Sequence, residues 1–383
     1  MELKSILRLV NEIASSTVAA EADKSDENSA WVSESIAAIK KAGLMGLVVP
    51  KADGGLGMGL YGLTKVCETL GASYASAGLC FGMHCVGSAV IAAKATSWQK
   101  KNYLEPIVAG EHVTTLAVSE PGTGAHFYFP QTEIQEKDGG FLVNGAKTFV
   151  TNGGHADSYV ISTVALDRNA SAEQFSCAVL DEGTAGISWG ASWEGIGMRG
   201  NSSRSMKMEN VRLKSEHILG ESGDQLWYVF NVIAPYFLTA MAGTYLGVAG
   251  AAFHEAKESI YRRTYSHSGS KLSQVSVVQH RLGELYEKWQ SAKALIYHAA
   301  QEGDKGSAEA LTLILSSKTA AARVAVDLAN EAMTLAGGIG YRSNSKLARI
   351  LRDARAAHVM SPTTDLLYTW IGRALLDQPL LSD

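Results

Sequence analysis

The chain has 383 residues, 46% of them hydrophobic and 19% charged, and 34 Lys+Arg against 38 Asp+Glu leave a formal charge of -4. It is long enough for two or three structural units, and too apolar and lightly charged to stay disordered. No basic block stands ready to neutralise a run of phosphates, which argues against a nucleic-acid partner.

At the N-terminus, Glu2, Lys4, Arg8 and Asn11 interrupt the apolar positions, unlike the unbroken apolar stretch of a secretory signal. Cys67, Cys80, Cys85 and Cys177 show neither CxxC spacing nor a His partner at metal-ligand spacing. The expectation is a cytoplasmic protein with reduced thiols and no metal. Residues 1–113 have helical spacing, as in Trp31, Ser35, Ala38 and Ile39. Gly57, Gly59 and Gly62 satisfy GxGxxG, but Pro50 and Gly54–Gly55 make the preceding stretch a loop and no βαβ pattern follows. That match is therefore accidental.

Over residues 114–222 the pattern changes to β-branched runs of period two, such as Phe141–Val143, Ser158–Thr163 and Met206–Met208, separated by Gly, Asn and Asp turns. Helical spacing returns over residues 223–383, where Leu282, Leu285, Trp289, Ala292 and Leu295 share one face. Val232–Phe253 carries no Asp, Glu, Lys or Arg and is long enough to cross a bilayer. Its Pro235, Gly243, Gly247 and Gly250, with no second such segment, favour a central helix of a bundle over a membrane span. Segregated helix, sheet and helix units make the chain α+β and mostly α.

Three glycine-rich or polar stretches are candidates for chemistry. Gly337–Gly340 lies between helical runs, either as a plain turn or as a place where backbone approaches a phosphate. Ser119–Gly124 follows the strand-like Leu116–Val118 and is a turn whose hydroxyl and amides could face a ring; Asn144–Gly153 has the look of a hairpin. The ten histidines are scattered, and neither a G-x-S-x-G elbow nor a Walker lysine loop occurs.

Taken together and in order, these stretches resemble the acyl-CoA dehydrogenase family. The resemblance runs through Leu44–Pro50 with Gly54–Gly57, Ser119–Gly124, Phe149–Gly153, Gly197–Gly200 with Glu209–Arg212, Ala336–Tyr341, Leu351–Arg355 and Ile371–Arg373. It implies an N-terminal helical domain (1–113), a middle antiparallel β domain (114–222) and a C-terminal four-helix bundle (223–383). It also implies FAD at a subunit interface of a homotetramer or homodimer, and an acyl-CoA or carrier-bound thioester as substrate. Carried over by position, Ser119 and Thr151 would bond the isoalloxazine, with Phe149 packed on it where the family usually has tryptophan. Thr363 would help hold the cofactor, Gly337, Gly338 and Gly340 would admit the FAD of a neighbouring subunit, and either Arg263 or the adjacent Arg262 would reach across to it. His126, Phe127, Phe237 and Arg373 fall at substrate-side positions. The aromatic run Ala125–Pro130 either reshapes the substrate channel or packs between domains.

Desaturating members of the family place a carboxylate against the substrate α-carbon to take a weakly acidic proton. Here Ser361 stands at the usual glutamate position, followed by Pro362, and the family's second base position falls on Phe237. A serine hydroxyl cannot take that proton at neutral pH unaided. The leading expectation is therefore O2-dependent oxidation of a thioester in specialised metabolism, by reduced flavin, with a flavin reductase or electron-transfer protein as partner. The alternatives are desaturation with a displaced base, Asp365 one helical turn beyond Ser361 or the nearby Glu120, and a scaffold without turnover.

Overall fold

The computed structural model describes residues 1–165, 175–221 and 223–381. Its first unit is helical. Ile6, Val10, Ala14, Val18 and Ala22, each four residues apart, are buried in one stripe that continues from Leu3–Ile13 into Ala19–Asn28. Ser33–Lys41, Gly59–Ser73 and Ala75–Ala93 complete the main helices, and the last is almost wholly buried.

Among the described residues eight strands follow: β1 Thr114–Ala117, β2 Glu133–Lys137, β3 Gly140–Val150, β4 Ser158–Ala165, β5 Phe175–Asp181, β6 Ile187–Trp189, β7 Arg204–Leu213 and β8 Ile218–Leu219. They form one sheet of order β6-β7-β3-β2-β4-β5-β8, with β1 on β4. Most pairings are antiparallel, as the family resemblance implies, but β1 and β2 each run parallel to β4. The register of β3 on β7 shifts between Lys147 and Val150, and there the backbone turns over, with φ +54° at Phe149 and +62° at Asn152.

Helices resume at Gln225. Ala234–Arg262, Ser276–Lys305, Ala310–Ala336 and Lys346–Val359 form a bundle, and Thr364–Leu375 packs beside it. Ala75–Ala93 and Leu226–Arg262 are both long and apolar enough to cross a membrane, yet 94% and 83% of their most apolar windows are buried inside the protein. They are core helices. The glycines of Ala234–Arg262 have a steric cause: a Cβ on Gly243 would lie 2.3 Å from the Thr64 carbonyl oxygen, and one on Gly247 2.2 Å from that of Glu68. Only glycine lets this helix lie so close to Gly59–Ser73. The Gly57–Gly62 match is accidental here too, because the start of Gly59–Ser73 is capped by Asp304, which accepts from the Leu60 and Tyr61 amides at 2.6 and 3.0 Å.

Candidate functional site

A cavity of about 690 Å³ opens where the three units meet. One wall is the loop that leaves β1. Glu120 anchors it, accepting from the Gln131 amide (2.5 Å), the Thr132 amide (3.2 Å) and hydroxyl (2.7 Å), and the Lys147 ammonium. Lys147 is fully buried and also donates to the Ser162 carbonyl at 2.6 Å. Burial lowers its pKa and the Glu120 carboxylate opposes that shift. The Ser119 carbonyl in turn accepts from the Thr148 amide at 2.8 Å, so loop and β3 are tied side by side.

The turned-over end of β3 supplies the second wall. Phe149 lines the cavity with 65% of its surface exposed and meets Trp193 edge-on, centroids 6.2 Å apart. Thr151 is buried, and its carbonyl accepts from the Thr115 hydroxyl at 3.0 Å. Asn152 then locks the turn to the first unit, donating to the Cys80 carbonyl (3.0 Å) and accepting from the Trp31 indole (2.9 Å). Beside Met198, which also lines the cavity, the buried Asp353 accepts from the Met198 amide at 2.6 Å, and burial raises its pKa to about 7.

The third wall comes from the helical units. Leu79 and Met83 project from Ala75–Ala93, Phe237 from the first turn of Ala234–Arg262, and Met360–Thr363 from the break between the last two helices. Thr363 caps Thr364–Leu375, its hydroxyl accepting from the Leu366 amide at 3.4 Å. Among the described residues that line the cavity, Glu120 is the only one with an ionisable side chain. Both of its oxygens are engaged by Lys147, Thr132 and Gln131.

The structure thus gathers Ser119, Phe127, Phe149, Thr151, Phe237, Ser361 and Thr363 around one cavity. The aromatic run divides: Phe127 lines the cavity, whereas Tyr128 packs between units on Trp370, with centroids 5.7 Å apart. His126 rests edge-on against Tyr128 outside the lining. Arg373 donates to the Leu380 carbonyl at 2.8 Å, also away from the cavity. Asp365 is exposed and absent from the lining. The one-turn spacing presumed a continuous helix, but Lys346–Val359 ends before Ser361 and a new helix begins at Thr364. Arg263 and the glycine stretch lie together elsewhere: a Cβ on Gly337 would be 3.2 Å from an Arg263 guanidinium nitrogen, and Gly338 is exposed. Gly340 is buried, where a Cβ would come within 2.8 Å of Ala336. Trp193, Leu79 and Met83 were not legible as site residues. A tryptophan within the turn-rich Trp189–Gly200 was the one available signal.

Comparison with known proteins matches three consecutive regions. Residues 1–111 match the acyl-CoA dehydrogenase N-terminal domain, 115–211 the middle domain and 238–376 the C-terminal domain. The mitochondrial isovaleryl-CoA dehydrogenase of Oryza sativa subsp. japonica is 28% identical over 341 residues, covering 88% of this chain and 81% of its own. Butyryl-CoA dehydrogenase from Megasphaera elsdenii superposes with a TM-score of 0.92 at 24% identity, over 98% of each chain. The prolyl acyl carrier protein oxidase AnaB has the same fold, with a TM-score of 0.87 at 21% identity over 97% of this chain and 98% of its own.

Proposed function

Because the chain belongs to the acyl-CoA dehydrogenase family of flavin-dependent oxidoreductases, we propose that it uses FAD and O2 to oxidise an acyl group carried as a thioester, in specialised metabolism, without desaturating it. The observation that carries this reading is the chemistry of the lining. Among the described lining residues the only carboxylate, Glu120, is closed off by its four donors, and Ser361 and Phe237, which the sequence resemblance aligns with the family's two base positions, both line the cavity. Nothing among the described lining residues can take a proton from the carbon beside a thioester carbonyl.

The residues present fit a flavin. A large ring, Phe149, is left exposed beside Trp193 at the cavity wall, next to the hydroxyls of Ser119 and Thr151, and a flat aromatic group would cover that surface. Bound there, FAD supplies two-electron redox chemistry and, once reduced, reactivity toward O2. Ser119 and Thr151 would orient it, Phe149 and Trp193 would pack on it, and Thr363 would border it. Phe237, Leu79 and Met83 exclude water from the acyl end, while Ser361 offers a hydroxyl and no base. Arg263 and Gly338, exposed, and the half-buried Gly337 between them, all away from this cavity, meet the cofactor of a second copy in a homotetramer or homodimer. The overall balance is one oxygen atom into the substrate and one into water, with two electrons and two protons drawn from an external flavin reductase or electron-transfer protein.

The test is turnover of acyl thioesters under ¹⁸O2 with a reductant present. The proposal predicts a product that carries one ¹⁸O; an enoyl thioester without label overturns it.

A further inference from the structure

Lys318, on Ala310–Ala336, is fully buried behind the cavity. Its ammonium donates to three backbone carbonyls, those of Ala357 (2.8 Å), Met360 (3.1 Å) and Pro362 (2.9 Å). An ammonium has three donors, and all three go to this one stretch of chain. Most buried lysines are matched with a carboxylate, because an unpaired buried charge is costly. Here the matching groups are carbonyl dipoles, and burial lowers the Lys318 pKa to about 7.

The three carbonyls belong to the break between Lys346–Val359 and Thr364–Leu375. The Ala357 carbonyl is among the last four of its helix, which lack partners within it. Pro362 brings no N–H to the stretch. Without Lys318, three carbonyls in a partly buried segment would lose their donor at once. The carbonyls on both sides of Ser361 are turned to the same ammonium, and Met360, Ser361, Pro362 and Thr363 all line the cavity. A second contact reaches the stretch from Ala234–Arg262, where the Tyr245 hydroxyl lies 3.3 Å from the Met360 sulfur.

We infer that Lys318 is a positioning residue: by holding the carbonyls on either side of Ser361, it sets where residues 360–363 meet the substrate and the flavin. It touches neither. The inference rests on the cavity being the reaction site, and it is independent of whether the chemistry uses O2.

The experiment compares the flavin-loaded wild type with Lys318→Met, Lys318→Gln and Lys318→Arg. Amide hydrogen exchange over residues 357–363, binding of an acyl thioester followed by the flavin spectrum, and the denaturation midpoint are measured on each. Because displacements of about 1 Å at a reacting centre are costly, Lys318→Met is expected to exchange faster in this stretch and to bind thioester about tenfold more weakly, with Lys318→Arg recovering most of the loss. If Lys318→Met does not accumulate as folded protein, Lys318→Gln, the milder change, decides in the same way. Unchanged local exchange and unchanged thioester binding, or a lowered midpoint with no effect confined to 357–363, overturns the inference. Should no thioester bind even the wild type, the functional reading fails while the exchange data still judge Lys318.

Discussion

Replacing Lys147 by Met isolates the element on which the cavity wall depends. The methionine fills similar space but leaves the Glu120 carboxylate buried against the Thr132 and Gln131 donors with no cation, and deprives the Ser162 carbonyl of its 2.6 Å donor. Lys147 has no exposed side-chain surface and Glu120 has 2%, so water cannot take the lysine's place without local opening. Breaking a buried pair from one side costs about 3–5 kcal/mol, far above the 0–1 kcal/mol of an exposed pair. The assay is urea denaturation of the flavin-loaded protein, followed by circular dichroism and flavin fluorescence. Lys147→Met is expected to lose stability in that range and to release flavin at lower urea than the wild type. Lys147→Met/Glu120→Gln, which strands no charge, should recover at least half of the loss. A single variant within about 1 kcal/mol of wild type, or a double variant no better than the single, would refute the reasoning.

Three further outcomes follow from the site. Ser361→Glu places a carboxylate in the lining and should confer flavin reduction by an acyl thioester in the absence of O2; no gain would mean that position 361 does not face the substrate carbon. Asp365→Asn should turn over within about twofold of wild type, since the side chain is exposed and off the cavity, and a loss of about a hundredfold would make it the base. Asp353 carries a carboxyl that burial raises from 3.8 to about 7, so its contribution favours the fold at acid pH and is lost as pH rises through 7. Denaturation midpoints of Asp353→Asn and wild type, measured between pH 4 and 8, should therefore shift in favour of the variant as pH rises, by up to about 4 kcal/mol, and a difference independent of pH would contradict the assignment.

The plan of helices, sheet and helices was legible because apolar period and turn residues change where the fold changes. The direction of β1 and β2 against β4 was not, since a period of two marks a strand and says nothing of its partner's polarity. Gly243 and Gly247 were visible as interruptions, but their cause, the carbonyls of Thr64 and Glu68 on another helix, belongs to tertiary packing. The motif residues Ser119, Phe149, Thr151 and Thr363 converge on one cavity although up to 244 positions separate them, and there the resemblance carried the placement. At Asp365 the sequence did not show that a helix break falls between it and Ser361, nor that its side chain is exposed and off the cavity lining. Glu120 illustrates the other limit: its place in the loop was readable, yet its pairing with Lys147, 27 residues on, required the register of β3. Trp193 and Lys318 stood in segments whose pattern alone marked them as turn and core.

The central claim is that, among the described residues lining this cavity, none can draw a proton from the carbon beside a thioester carbonyl. Anaerobic mixing of the flavin-loaded protein with a panel of acyl thioesters, followed by the flavin absorbance, tests it most directly. The account predicts that the yellow colour persists until an external reductant is added; rapid bleaching by the thioester alone, with an enoyl product, would contradict it.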